Sequence, residues 1–144
     1  MEQHKQATDF DRLVAELQHD VDEQERAIFS DKVIAEARNP THAGRMAEPD
    51  ASGIVHGWCG DTMEFFLKLD GQRIERVTFM TDGCGSSLAC GNTVSKMAQG
   101  KVVEEAVQIE PEDVIAALGG LPKEYEHCAQ LAVNTLREAI ANRE

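Results

Sequence analysis

From position 63 the chain alternates, with Met63, Phe65, Leu67 and Leu69 standing between Glu64, Phe66, Lys68 and Asp70. A period of two predicts a strand with one buried face. Asp70-Gly71 follows, a pair that tolerates positive φ and therefore predicts a tight hairpin turn. Residues 74–81 then read as the return strand, with Val77 and Phe79 on one face. Upstream, residues 54–58 read as a first strand closed by the turn signal Gly60-Asp61. Residues 40–53, with Pro40, Gly44, Pro49 and Gly53, read as an irregular loop. The expectation is a three-stranded antiparallel meander.

Around this block the period is 3.6. Phe10, Leu13, Val14, Leu17 and Val21 mark an amphipathic helix in an N-terminal extension, residues 1–28, loosely attached to a domain of residues 29–144. Ser30 opens a short helix through Val33, Ile34 and Ala37, which Asn39-Pro40 breaks. After Gly83 the chain turns helical. Residues 86–99 are rich in small side chains (Ser87, Ala89, Cys90, Gly91), so this helix can approach the sheet closely, and Gly100 ends it. Glu110-Pro111 opens another short helix that stops at Gly119-Gly120. A last helix, beginning near Glu124, carries the stripe Cys128, Leu131, Ala132, Thr135, Leu136, Ala139 and Ile140. The fold class is α+β, with helices packed on the sheet.

Composition narrows the function. The 144 residues hold 14 Lys and Arg against 26 Asp and Glu, a net charge of -12. Nucleic-acid binding rests on clustered basic residues, so it is not expected. Binding to anionic membranes is disfavoured for the same reason. No apolar run nears the ~20 residues that span a bilayer. The N-terminus lacks a basic-then-apolar leader, so a cytoplasmic location is expected.

The chemistry lies in three places: Gly57-Trp58-Cys59-Gly60-Asp61, Asp82-Gly83-Cys84-Gly85-Ser86-Ser87 and Glu126-His127-Cys128. Each falls at the end of an expected element. Cys59 closes strand one and Cys84 closes strand three, and in an antiparallel meander those ends share a rim. A thiol at a helix N-terminus meets unpaired N–H groups that favour thiolate. Gly83 and Gly85 are expected to permit an unusual turn and to leave room beside the sulfur. Cys128 should point inward from the last helix. Three thiolates, one carboxylate and one imidazole would then converge, a soft set that selects zinc, copper(I) or iron–sulfur clusters. A structural zinc site is the rival reading, although the C-x₂₋₄-C knuckles usual for it are missing. Cys90, mid-helix among small residues, reads as core. His56 reads as structural, and His4, His19 and His42 carry no motif.

In this order and context the segments resemble the U-type iron–sulfur cluster assembly scaffolds, the family of IscU and the N-terminal domain of NifU. The resemblance runs over residues 29–143: Phe29 to Ile34 with Asn39-Pro40 and Gly44, then Cys59-Gly60-Asp61, Gly83-Cys84-Gly85-Ser86 and His127-Cys128. It implies a scaffold and carrier rather than an enzyme. Such a protein receives sulfur from a cysteine desulfurase, combines it with iron, holds a 2Fe-2S cluster (4Fe-4S as the alternative) and passes it to recipient apo-proteins. A ferredoxin is a further partner that it suggests. The implied ligands are Cys59, Cys84 and Cys128 with Asp61 or His127, zinc being able to occupy the same site, and Cys128 is the implied persulfide acceptor. A zinc-holding sulfur acceptor like the SufU branch, or a structural zinc interaction module, is the alternative. Two departures stand out. The family's L-P-P-V-K segment appears here as Leu121-Pro122-Lys123-Glu124-Tyr125, which argues against dependence on an Hsp70-type chaperone. Cys90 stands where a small residue is common.

Overall fold

The computed structural model describes residues 8–57 and 60–143. Trp58 and Cys59 lie outside the described residues. Helix α1 (Asp9–Ile28) precedes α2 (Asp31–Arg38), and strands β1 (Ala51–His56), β2 (Thr62–Asp70) and β3 (Arg73–Thr81) follow. Helices α3 (Gly85–Ala98), α4 (Val103–Ala106) and α5 (Pro111–Ala117) come next, then a 3-10 turn at Lys123–Tyr125 and α6 (Glu126–Ala141). The strands form the expected antiparallel meander in the order β1-β2-β3.

The β2–β3 hairpin turns at Gly71 and Gln72, and Gly71 alone takes a left-handed φ of +62°. Near its tip Lys68 pairs with Arg76 but Leu69 pairs with Ile74, so β3 carries one extra residue. That bulge reverses the in–out alternation. It is why Ile74 and Val77, three apart, are both buried.

Strand β1 begins three residues before the sequence suggested, at Ala51 rather than Ile54. The reason lies in what packs on it. Helix α6 crosses β1 so closely that a Cβ on Gly53 would stand 2.4 Å from the Ala139 backbone nitrogen. The inward positions there must be small, and Ala51 and Gly53 carry no hydrophobic signal for a strand. Ile54, which does, is half exposed. Helix α3 approaches β3 in the same way, since a Cβ on Gly91 would meet the Phe79 ring at 2.5 Å.

Between sheet and helices lies the core of Met63, Phe65, Leu67, Val77, Phe79, Val94 and the α6 stripe. Every residue of that stripe from Cys128 to Ile140 is buried, with Ala129 and Val133 widening it. Ser30 caps α2, its Oγ accepting from the Val33 N–H at 3.1 Å and donating to the Leu118 carbonyl. The small helix α4, which the sequence pattern did not reveal, is four residues long, too short to show a period.

Gly53→Ala is expected to lower the unfolding free energy by about 2 kcal/mol, because the new methyl overlaps backbone that cannot step aside. Gly85→Ala, whose Cβ would meet only the Ala37 Cβ at 3.7 Å, should change it by less than about 1 kcal/mol. Urea unfolding of both variants decides; equal losses would mean that the β1–α6 contact is not tight.

Candidate metal centre

The register brings three chain ends to one rim. His56 pairs with Thr62 and Met63 with Thr81, so the end of β1, the start of β2 and the end of β3 lie side by side. The rim is fastened by short polar contacts. Thr81 Oγ1 donates to the Thr62 carbonyl at 2.8 Å, and the Thr62 N–H donates to Asp82 Oδ1 at 2.8 Å. His56 Nδ1 lies 2.8 Å from Thr62 Oγ1, which ties it to the strand pair, in line with its expected structural role. Asp61 sits in the β1–β2 link, and its carbonyl accepts from the Gly57 N–H at 2.6 Å. Gly60 takes φ +97° there, a conformation that L side chains resist.

Two helix N-termini meet this rim. Cys84 is the N-cap of α3, and His127 and Cys128 lie in the first turn of α6. One ligand atom each from Asp61, His127 and Cys128 falls within 4.8 Å of the others. Cys128 Sγ is 3.6 Å from His127 Nε2. Cys84 is not one of that close trio, but it stands near enough for its charge to act on Cys128. The structure thus brings three of the five expected ligands into one close group, with Cys84 at the neighbouring helix N-terminus and Cys59 outside the described residues.

Two residues without an assigned role in the sequence reading organise the group. Ser86 Oγ donates to Cys128 Sγ at 2.9 Å. Ser87 Oγ lies 3.1 Å from Asp61 Oδ2 and 3.5 Å from Cys128 Sγ. Its single proton can serve the carboxylate or the sulfur, one at a time. Both serines are buried. Their place in the first turn of a helix capped by a cysteine was legible in the sequence, but their partner, 42 and 41 residues away, was not. Gly83 proves necessary for space rather than for its backbone. A Cβ there would lie 2.5 Å from Ser87 Oγ and 3.0 Å from Asp61 Oδ2. Neither Gly83 nor Gly85 adopts a positive φ, which corrects the expectation of an unusual turn.

The same serines separate the thiols electrostatically. Partial burial raises the pKa of Cys84, but the N–H groups of Ser87 and Ser86 and then their hydroxyls outweigh it, so the thiol ends below its ordinary value. No cap hydrogen bond of ordinary geometry reaches this side chain; the stabilisation comes from several N–H and O–H dipoles aimed toward the sulfur. For Cys128 burial wins over the two hydroxyls, and the charges of Cys84 and Asp61 push it further up. Cys90 is raised strongly, by burial first and then by Cys128 and Cys84. Cys84 is exposed, whereas Cys90 and Cys128 are buried. Beside Cys84 opens a cavity of about 330 Å³ lined by Phe29, Val33, Ile34, Ala37 and Tyr125. Phe29 and Tyr125 close one side edge to face, their centroids 4.9 Å apart.

Alkylation with iodoacetamide, followed by peptide mapping, is expected to label Cys84 first among these three. Its rate should rise with pH about a midpoint below the ~8.5 of a free thiol, while Cys90 stays unmodified in the folded protein. Faster labelling of Cys128 would reverse the assignment. Ser87→Ala should weaken Zn²⁺ binding, measured by chelator competition, by about tenfold, as expected when a hydrogen bond that orients a ligand is removed. Unchanged affinity would mean that Ser87 does not hold Asp61 for a metal.

Comparison with known proteins bears on the family and the fold. Residues 28–144 match the family model of the NifU-like N terminal domain. The chain is 40% identical over 116 residues to the iron–sulfur cluster assembly scaffold protein IscU 1 of Archaeoglobus fulgidus, covering 80% of this chain and 76% of that protein. It is 35% identical over 119 residues to the scaffold protein IscU of Escherichia coli K12, covering 79% and 92%. The fold matches a SufU protein from Fervidobacterium islandicum AW-1 with a TM-score of 0.65 at 19% identity, over 79% of this chain and 97% of that one.

Proposed function

The chain belongs to the NifU-like N-terminal domain family, and we propose that it is a scaffold on which iron–sulfur clusters are assembled and from which they pass to recipient proteins. The observation that carries this reading is the meeting of Asp61, His127 and Cys128 within 4.8 Å at a rim that also holds Cys84. Residues 29–144 form the scaffold domain of this proposal. Cys59, Cys84 and Cys128 supply thiolates, and Asp61 or His127 completes the set. Thiolates suit iron–sulfur centres. The carboxylate is a hard donor beside a soft centre and so the ligand most easily exchanged. A mixed set of this kind can hold a cluster and still let it go.

Sulfur would arrive from a cysteine desulfurase as a persulfide. A scaffold thiolate attacks the outer sulfur, a new S–S bond forms, the S–S bond to the donor cysteine breaks, and the donor leaves as thiolate with no net oxidation. Cys128, the implied acceptor, is buried and lies under the hydroxyls of Ser86 and Ser87. Cys84 is exposed and favours the thiolate. We therefore propose that Cys84 is the thiolate an incoming persulfide meets first, and that Cys128 accepts sulfur once its hydroxyl contacts are released. The cluster is cargo and no substrate is turned over, so the role is that of a carrier. A 2Fe-2S cluster is the proposed cargo, with 4Fe-4S as the alternative because both take four protein ligands, and recipient apo-proteins and a ferredoxin are the proposed partners. Among the described residues no helix is long and apolar enough to cross a membrane.

Anaerobic reconstitution with iron and a desulfurase should give a visible sulfide-to-iron absorption band with bound sulfide. Cys84→Ala should abolish it and Cys90→Ala should retain it. Colourless protein holding one zinc would favour the zinc-bound sulfur acceptor instead. Asp61→Ala should lengthen cluster lifetime and slow transfer to an apo-ferredoxin; faster decay would make Asp61 an essential ligand and remove its labilising role. Mass spectrometry after a single desulfurase turnover should find the extra sulfur on Cys84 or Cys128 and never on Cys90.

A further inference from the structure

Helix α1 carries an apolar face that none of the described residues covers. Phe10, Val14, Leu17, Val21, Gln24 and Ile28 follow one another at spacings of four and three. That is a heptad seam, with β-branched Val14, Val21 and Ile28 at a and Phe10, Leu17 and Gln24 at d. The apolar members are all about half exposed or more, from Val21 at 47% to Phe10 at 71%, and Leu13 beside them is 52% exposed. The seam plays no part in fixing α1 to the body. What ties the helix down is Asp22, next to the seam, whose carboxylate meets the Arg38 guanidinium of α2 at 2.7 Å. Most helical stability in proteins comes from packing an amphipathic face, and apolar surface repeated in a stripe marks an interaction site.

Charge selects the occupant. Within Asp9–Ile28 seven acidic residues face two basic ones, Arg12 and Arg26. Pairing with a second copy would bring two such excesses of five negative charges together along one seam. Asp11 and Asp20 occupy the e and g positions that flank it, where like charges oppose pairing. An anionic membrane is disfavoured on the same ground. We propose that α1 is a docking helix for a partner protein that offers a basic amphipathic helix, its apolar seam set against Val14, Leu17 and Val21 and its Lys or Arg side chains flanking that seam. The placement suits delivery, since Ile28 leads directly into Phe29, which lines the cavity beside Cys84. A partner held on α1 is thereby tethered near the rim.

The test uses the full, metal-free chain, so its outcome is independent of whether clusters form. Isothermal titration is run with a synthetic peptide of about four heptads, Ile at a, Leu at d and Lys at e and g, and with its Glu-for-Lys counterpart. The Lys peptide is expected to bind, more weakly as salt rises, and about tenfold or more weaker to Leu17→Asp or Val21→Asp. The Glu peptide is expected not to bind. Circular dichroism checks that the variants retain the folded domain. The proposal is overturned if the Lys peptide does not bind or if Val21→Asp leaves its binding unchanged. It is equally overturned if sedimentation shows a dimer of the chain that Val21→Asp splits, or if phosphatidylcholine–phosphatidylserine vesicles bind α1 while the Lys peptide does not.

Discussion

The structure depends on how closely two helices can lie on a three-stranded sheet. Gly53 lets the α6 backbone at Ala139 touch β1, and Gly91 lets α3 lie against the Phe79 ring. A methyl at either position would lift a helix off the sheet. These two contacts fix the height of α3 and α6 over the sheet, and a rigid helix transmits that height to its N-terminus. The placing of Cys84 and Cys128 therefore depends on Gly91 and Gly53. Close packing transmits such displacements rather than absorbing them.

At the rim the same constraint becomes electrostatic. Ser86 and Ser87, buried in the first turn of α3, contact Cys128, and Ser87 also reaches Asp61. With the N–H groups of that turn they pull the Cys84 thiol down, while burial and neighbouring charge keep Cys128 up. Two thiols a few residues' width apart are thus held in different states, one ready to react and one held back. Gly83 leaves the space in which the serine and the carboxylate meet. A cluster site must bind and release, and a ligand set whose members are unequally disposed to bond metal meets both needs.

Much of this was legible in the sequence. The alternation of Met63, Phe65 and Leu67, the Asp70-Gly71 turn and the α6 stripe depend on nearest-neighbour periodicity, and all appear where that pattern put them. Asp61, Cys84, His127 and Cys128 stood out as candidates because unusual residue types sit at element ends, and three of them, Asp61, His127 and Cys128, lie close together. What stayed hidden was set by tertiary contact. The first half of β1 is built from Ala51, Ser52 and Gly53, chosen for the helix lying over them and carrying no strand signal. The roles of Ser86 and Ser87 depend on a partner some forty residues away, beyond the reach of any local pattern. Of the two roles expected of Gly83, the unusual turn is not adopted, and the room it leaves is taken by Ser87 and Asp61.

The central claim is that residues from the sheet rim and from two helix N-termini form one mixed thiolate, imidazole and carboxylate ligand set. X-ray absorption at the zinc edge, on protein loaded with one Zn²⁺, tests it most directly. The account predicts a mixed shell, with sulfur at about 2.3 Å and nitrogen or oxygen at about 2.0 Å, that loses sulfur in Cys84→Ser and in Cys128→Ser but keeps it in Cys90→Ala. A shell of nitrogen and oxygen alone, or one that loses sulfur with Cys90, would contradict it.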